Sequence, residues 1–249
     1  MEQVRYEQVS DWQESWESLA RLDPQLVEVF SSLAALPAEN NHLGPKVQAF
    51  IAITACGNAT HIFGPGIKHY IDVALRHGAS KAELVEVLGL LSTVGIHAAN
   101  VGVPVLLEVL QEEGKRDADA LAAARQDPHR KMLKDAFVKN RGYWHPSWEG
   151  LLELDPGMFE RYVAFSSLPW TSGVLEPKVK ELMYCAFDAA ATHLYVPGLK
   201  LHMRNAIGYG ASAEEIMEVL EIVSLIGIHG ALAAAPLLEQ ALSISQQST

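Results

Sequence analysis

Cysteine is nearly missing from this chain: only Cys56 and Cys185 occur in 249 residues, and neither belongs to a Cys-x-x-Cys pair. That excludes a disulfide framework and a dithiol redox motif, and makes a reducing compartment the expectation. Basic clusters are missing too. The net charge is −11, with no local Lys/Arg run to offset it, which argues against nucleic-acid binding. The apolar run from Leu88 to Ile96 is too short for a bilayer and meets His97 and Asn100, so no membrane association is expected. The opening residues, Met1-Glu-Gln-Val-Arg-Tyr, show no basic stretch leading into an apolar one; no signal peptide is read, and a cytoplasmic protein is the expectation. β-branched alternation is absent as well, so strands are not expected.

What the chain does contain is a repeat. Trp16-Glu-Ser-Leu-Ala-Arg-Leu-Asp-Pro returns as Trp148-Glu-Gly-Leu-Leu-Glu-Leu-Asp-Pro, an offset of 132 residues. The same offset carries Pro45-Lys-Val onto Pro177-Lys-Val, Ala59-Thr-His onto Ala191-Thr-His, Gly78-Ala-Ser onto Gly210-Ala-Ser, and Gly95-Ile-His onto Gly227-Ile-His. No gap is needed from Trp16 to Leu110. A tandem duplication follows: residues 1–113 form a first helical repeat, 114–145 a helical linker, and 146–249 a second helical repeat.

Each copy reads as helices. Asp23-Pro24 and Asp155-Pro156 are N-cap and first-turn signals that open Gln25–Leu36 and Gly157–Leu168, each expected to stop at the next proline. A central helix with apolar residues on nearly every face follows Pro45 or Pro177. A third begins at the Pro-Gly of 65–66 or 197–198 and ends by Gly78 or Gly210. Ser80-Lys-Ala-Glu and Ser212-Ala-Glu-Glu are capping boxes for a long apolar helix broken near Gly95 or Gly227. The linker offers two helical stretches, Asp117–Arg125 and Arg130–Val138, then a turn at Gly142-Tyr-Trp-His-Pro. The polar tail Ser243–Thr249 is expected to fray.

The second copy gathers the chemistry. Lys178-x-x-Glu-Leu, a polar site near the helix end, and His202-x-x-x-Ala-x-x-x-Gly210-Ala-Ser-x-x-Glu-Ile together resemble the carboxymuconolactone decarboxylase and alkyl hydroperoxidase D-like family. The resemblance spans both repeats. It implies an all-α fold made of two tandem copies of the family's helical unit, and a homo-oligomer, with a trimer favoured for a fused pair. It also implies that Glu and His act as proton-transfer groups without a cofactor, on substrates of aromatic-compound catabolism. The hydroperoxidase branch uses Cys-x-x-Cys and a His; here the corresponding turn is Thr192-His193-Leu-Tyr195-Val-Pro-Gly, so peroxidase chemistry of that kind is not expected.

The copies differ where the chemistry sits. Glu181 aligns with Ala49, His202 with Tyr70, Tyr195 with Phe63 and Asp188 with Cys56, whereas His193 and His61 are both kept. The expected catalytic set is therefore Glu181, His193, His202 and Tyr195. Glu181 to His202 is longer than the family's usual spacing, so either His202 or His193 is the acid/base. Glu181 orients the imidazole and Tyr195 donates to an oxyanion. Lys200, Arg204, Thr192 and His229 are candidate substrate contacts, although His97 and His229 lie in apolar helices where a lone imidazole is more often a core residue. No metal is expected, because Glu181, His193 and His202 lack the i, i+4 pair that puts two ligands on one helix face. The substrate expected is a small carboxylated lactone or other enolisable acid. Alternatives are an isomerase or dehydratase acting on a specialised-metabolism lactone or polyketide-like compound, and a non-catalytic ligand-binding protein.

Overall fold

A computed structural model describes residues 12–171 and 173–247. It is built of α-helices, with no strand among the described residues. The first copy contributes α1 (Trp12–Leu22), α2 (Pro24–Asn40), α3 (Pro45–Gly57), α4 (Gly64–Arg76), α5 (Lys81–Leu91), a 3-10 segment (Ser92–Ile96) and α6 (His97–Glu112). The linker forms α7 (Ala118–Gln126) and α8 (Pro128–Arg141). The second copy repeats the first as α9 (Ser147–Leu154), α10 (Pro156–Thr171), α11 (Pro177–Ala189), α12 (Val196–Gly208), α13 (Ala213–Ser224), a 3-10 segment (Leu225–Ile228) and α14 (His229–Gln247).

The chain packs as two compact units, Met1–Leu91 with Leu175–Thr249, and Ser92–Val174. In the first, α11 packs against α12, α3, α13 and α5, which makes it the central helix, and α14 lies against α1. In the second, α6 lies against α9 and α10 against α8. Each copy's last helix thus covers the other copy's first helices. A helix that is apolar on most faces needs such cover.

The core of the second unit is aromatic. Phe137, Trp148 and Phe159 are buried together, with Tyr143 and Trp144 packed on them after Gly142 closes α8 in the left-handed conformation (φ 77°). The first unit is centred on α3 and α11, whose residues from Ala49 to Cys56 and from Val179 to Asp188 are all buried. Two carboxylates are buried there as well. Glu218 of α13 accepts from the backbone N–H of His42 at 2.7 Å and of Leu43 at 3.2 Å, and from Gln48 Nε2 at 2.9 Å. Its counterpart Glu86 of α5 accepts from the Leu175 N–H at 3.1 Å and pairs with Lys180 Nζ at 2.7 Å. Each carboxylate ties the loop entering a central helix to the apolar helix of the other copy, and its hydrogen bonds offset the cost of burial.

Lys81–Glu112 and Ala213–Gln246 are long and apolar enough, by length and composition, to cross a membrane. Each is interrupted by a 3-10 segment, and Glu86 and Glu218 anchor their first halves inside the protein.

Three sequence expectations are corrected. Pro37 and Pro169 do not stop their helices: α2 runs on to Asn40 and α10 to Thr171. A proline forbids only its own N–H bond and crowds the preceding turn, so a few residues can follow it. The Pro37 carbonyl still accepts the capping N–H of Asn41, which is left-handed at φ 51°. The tail does not fray at Ser243, because α14 reaches Gln247 through residues free of helix breakers.

Candidate active site

Glu181 and His202 meet inside the first unit. Glu181 lies mid-way along α11 and is 1% exposed. α12 turns its Gly198, His202 and Ala206 toward the interior, a buried stripe at four-residue spacing. His202 Nδ1 lies 2.6 Å from Glu181 Oε2, and Asn205 Nδ2 donates to Glu181 Oε1 at 3.3 Å. Both carboxylate oxygens are therefore accounted for. An ionised carboxylate can only accept, so Nδ1 carries the proton and Nε2 is the nitrogen left for chemistry. The Tyr184 ring packs against the imidazole, with centroids 4.6 Å apart.

The turn between α11 and α12 holds the other candidates. His193 and Leu194 donate their N–H groups to the Ala190 carbonyl at 2.7 and 3.0 Å, and Tyr195 donates to the Asp188 carbonyl at 2.9 Å. Leu194 is forced to φ 48°. The first copy has the same turn, with His61, Ile62 and Phe63 bonded alike and Ile62 at φ 37°. Left-handed backbone is costly for leucine and more so for a β-branched isoleucine, so the surrounding structure holds this strained shape twice. His193 and Tyr195 are half-buried, with ring centroids 6.2 Å apart. Burial pulls the His193 pKa below its ordinary value.

The remaining predicted residues lie elsewhere. Lys200 and Arg204 line an open groove of about 450 Å³ with Val196, Leu199, Met203 and Ile207, on the side of α12 away from His202. Thr192 is exposed, and its hydroxyl meets that of Thr60, its own counterpart, at 3.0 Å. His229 does not join Glu181 and His202. It opens α14, and its Nδ1 lies 2.8 Å from Nε2 of His61, with the Phe63 ring stacked on it at 4.2 Å.

Sequence reasoning missed the partners rather than the principals. Asn205 follows His202 by three residues, a same-face spacing that was available. Tyr184 and the His61–His229 pair had no such signal, because they depend on which helices meet. The repeat marks Asp188 only as a difference from Cys56. It is fully buried seven residues after Glu181, on the same face of α11, and burial followed by the charge of Glu181 raises its pKa to about 8. Cys56 is buried too, and its thiol is pushed up to about 12 by desolvation, far from the thiolate a peroxidase needs.

The His61–His229 pair has a consequence for stability. Desolvation, then the neighbouring His61, lowers the His229 pKa to about 4. Between pH 6.5 and 4 the unfolded chain binds a proton there that the folded chain does not, so this ring's contribution is full above pH 6.5 and is lost as pH falls. Urea unfolding at pH 7 and pH 4.5 should show His229→Gln losing less stability on acidification than the unmodified protein, by roughly 2–3 kcal/mol. Equal losses would contradict this account.

Residues 156–240, within the second repeat, match the model of the carboxymuconolactone decarboxylase family. Among curated proteins none matches significantly. A crystal structure from Burkholderia xenovorans LB400, whose protein carries the provisional name gamma-carboxymuconolactone decarboxylase subunit, is 59% identical to this chain. It aligns over 93% of this chain and 91% of its own, with a TM-score of 0.88. With its duplicated all-α fold and that degree of likeness, this chain belongs to the carboxymuconolactone decarboxylase family.

Proposed function

We propose that this protein is a decarboxylase-like enzyme that acts by acid/base chemistry, without a cofactor, on a small carboxylated lactone. The observation that carries the reading is the buried hydrogen bond between Glu181 Oε2 and His202 Nδ1 at 2.6 Å. When a carboxylated lactone loses carbon dioxide, the C–C bonding pair passes into the conjugated carbonyl, and a proton must then reach carbon. Nε2 of His202 delivers it, while Glu181 holds the ring's orientation and stabilises its charged form. Tyr195 donates to the developing oxyanion. The protein assembles as a homo-oligomer, with the trimer favoured, in the cytoplasm. Two observations support assembly: the structurally similar protein is called a subunit, and the α12 groove is apolar and open.

A second reading uses the same groups, which would also run an isomerisation or dehydration through an enolate. The two readings separate on incubation with gamma-carboxymuconolactone. Release of carbon dioxide is expected; conversion without it would favour the second reading, and no conversion would reject the first. Turnover should also survive dialysis against EDTA. Activity lost there and restored by a divalent metal would overturn the cofactor-free mechanism.

A further inference from the structure

The Glu181–His202 pair leaves unexplained a second carboxyl on the same helix face. Asp188 is 0% exposed. A Cβ on Gly198 would lie 2.4 Å from Asp188 Oδ2 and 2.6 Å from Cδ1 of Tyr195. The carboxyl therefore occupies a cradle formed where α12 begins, against the ring of Tyr195. Its own carbonyl holds the Tyr195 N–H, and a carboxylate oxygen and a ring nitrogen of His193 lie within 4.8 Å of each other. That separation is spanned by a modest ring rotation or by one bridging water.

The first copy shows that the scaffold does not need this carboxyl. There a Cβ on Gly66 would lie 2.8 Å from Cys56 Sγ and 2.9 Å from Cδ1 of Phe63, the same cradle around a thiol. The turn beyond it, with its left-handed residue, is also the same. An unneeded buried carboxyl is costly, so its presence in the copy that keeps Glu181 and His202 points to use.

We infer that Asp188 is a positioning residue that acts through His193, fixing which ring nitrogen of His193 carries the proton. The inference rests on the acid/base reading proposed above. Burial and the charge of Glu181 keep Asp188 largely protonated at neutral pH, while burial keeps His193 neutral. A protonated carboxyl donates and a neutral imidazole nitrogen accepts, which leaves the second nitrogen of His193 as an N–H directed away from Asp188. That N–H donates a hydrogen bond to the enolate oxygen formed as the substrate loses carbon dioxide, while Nε2 of His202 delivers the proton to carbon, so Asp188 and His193 keep their protons throughout. Glu181–His202 and Asp188–His193 thus take separate tasks, which accounts for His193 and His202 alike.

The test uses Asp188→Asn and Asp188→Cys, the latter reproducing the residue of the first copy, with folding followed by thermal melts. In protein labelled with 15N-histidine, the resonances of His193, identified by their loss in His193→Gln, should report one dominant tautomer. Asp188→Cys should move them toward a tautomer mixture, whereas Asp188→Asn, whose amide N–H can donate in place of the carboxyl proton, should hold the tautomer. With gamma-carboxymuconolactone, kcat should fall roughly 100-fold in Asp188→Cys with KM within about 3-fold, as expected for a misaligned oxyanion donor, and far less in Asp188→Asn. The double variant Asp188→Cys/His193→Gln should be no slower than His193→Gln alone. Unchanged His193 resonances in folded Asp188→Cys would overturn the inference whatever the activity. If the unmodified protein does not decarboxylate the lactone, the functional reading fails, and the ring resonances still judge Asp188.

Discussion

Glu181→Gln is expected to lower kcat by roughly 10²- to 10⁴-fold, the usual range for a disabled acid/base pair, with little change in melting temperature. The amide keeps the shape of the side chain and can still accept from His202 Nδ1, so the 2.6 Å contact need not break. What it loses is the negative charge that favours the protonated imidazole. His202→Ala should lower kcat at least as far, but it also strips a buried carboxylate of its main partner and leaves only Asn205 at 3.3 Å. His202→Gln, which can donate to Glu181, separates lost chemistry from lost stability. Full activity in Glu181→Gln and His202→Gln would remove this pair from the mechanism.

Lys180→Met is expected to destabilise the protein by about 3–5 kcal/mol, the usual cost of removing one partner of a buried ion pair. Lys180 and Glu86 are each 2% exposed at the side chain, with Nζ 2.7 Å from the carboxylate. Without the ammonium, Glu86 keeps the Leu175 N–H but loses the opposite charge that offsets burial of its own. The repeat provides its own comparison. At the equivalent place Glu218 is satisfied by Gln48 and two backbone N–H groups. Lys180→Gln should therefore cost under about 2 kcal/mol, a hydrogen-bond exchange rather than a stranded charge. Urea unfolding at pH 7 measures both, and an equal loss in the two variants would show that charge pairing is not what holds Glu86.

The helical plan was legible because its signals are local. The prolines at 24, 45, 156 and 177 open helices where first-turn chemistry allows them, Gly78 and Gly210 take φ of 81° and 88° after α4 and α12, and Ser80 and Ser212 cap their helices reciprocally with Glu83 and Glu215. Pro37 and Pro169 misled for the complementary reason, since the sequence cannot say how much of the last turn survives a proline. That Glu181 and His202 are particular to the second copy was legible from the repeat itself, in which Ala49 and Tyr70 take their places.

By itself the sequence determined that the chain is a duplicated all-α protein, and that its second copy carries the acidic and imidazole side chains. Capping, proline and glycine signals and a constant offset act within a few residues or by direct comparison, so they need no knowledge of packing. Only the tertiary structure decided which groups meet. It joined His202 rather than His193 to Glu181 and gave His229 to His61. It turned Lys200 and Arg204 outward and set Asp188 in a cradle that only glycine permits. Those outcomes depend on which faces of α11, α12 and α14 become buried. That is settled by competition among apolar helices for cover, a property of the whole chain that no short stretch of sequence contains.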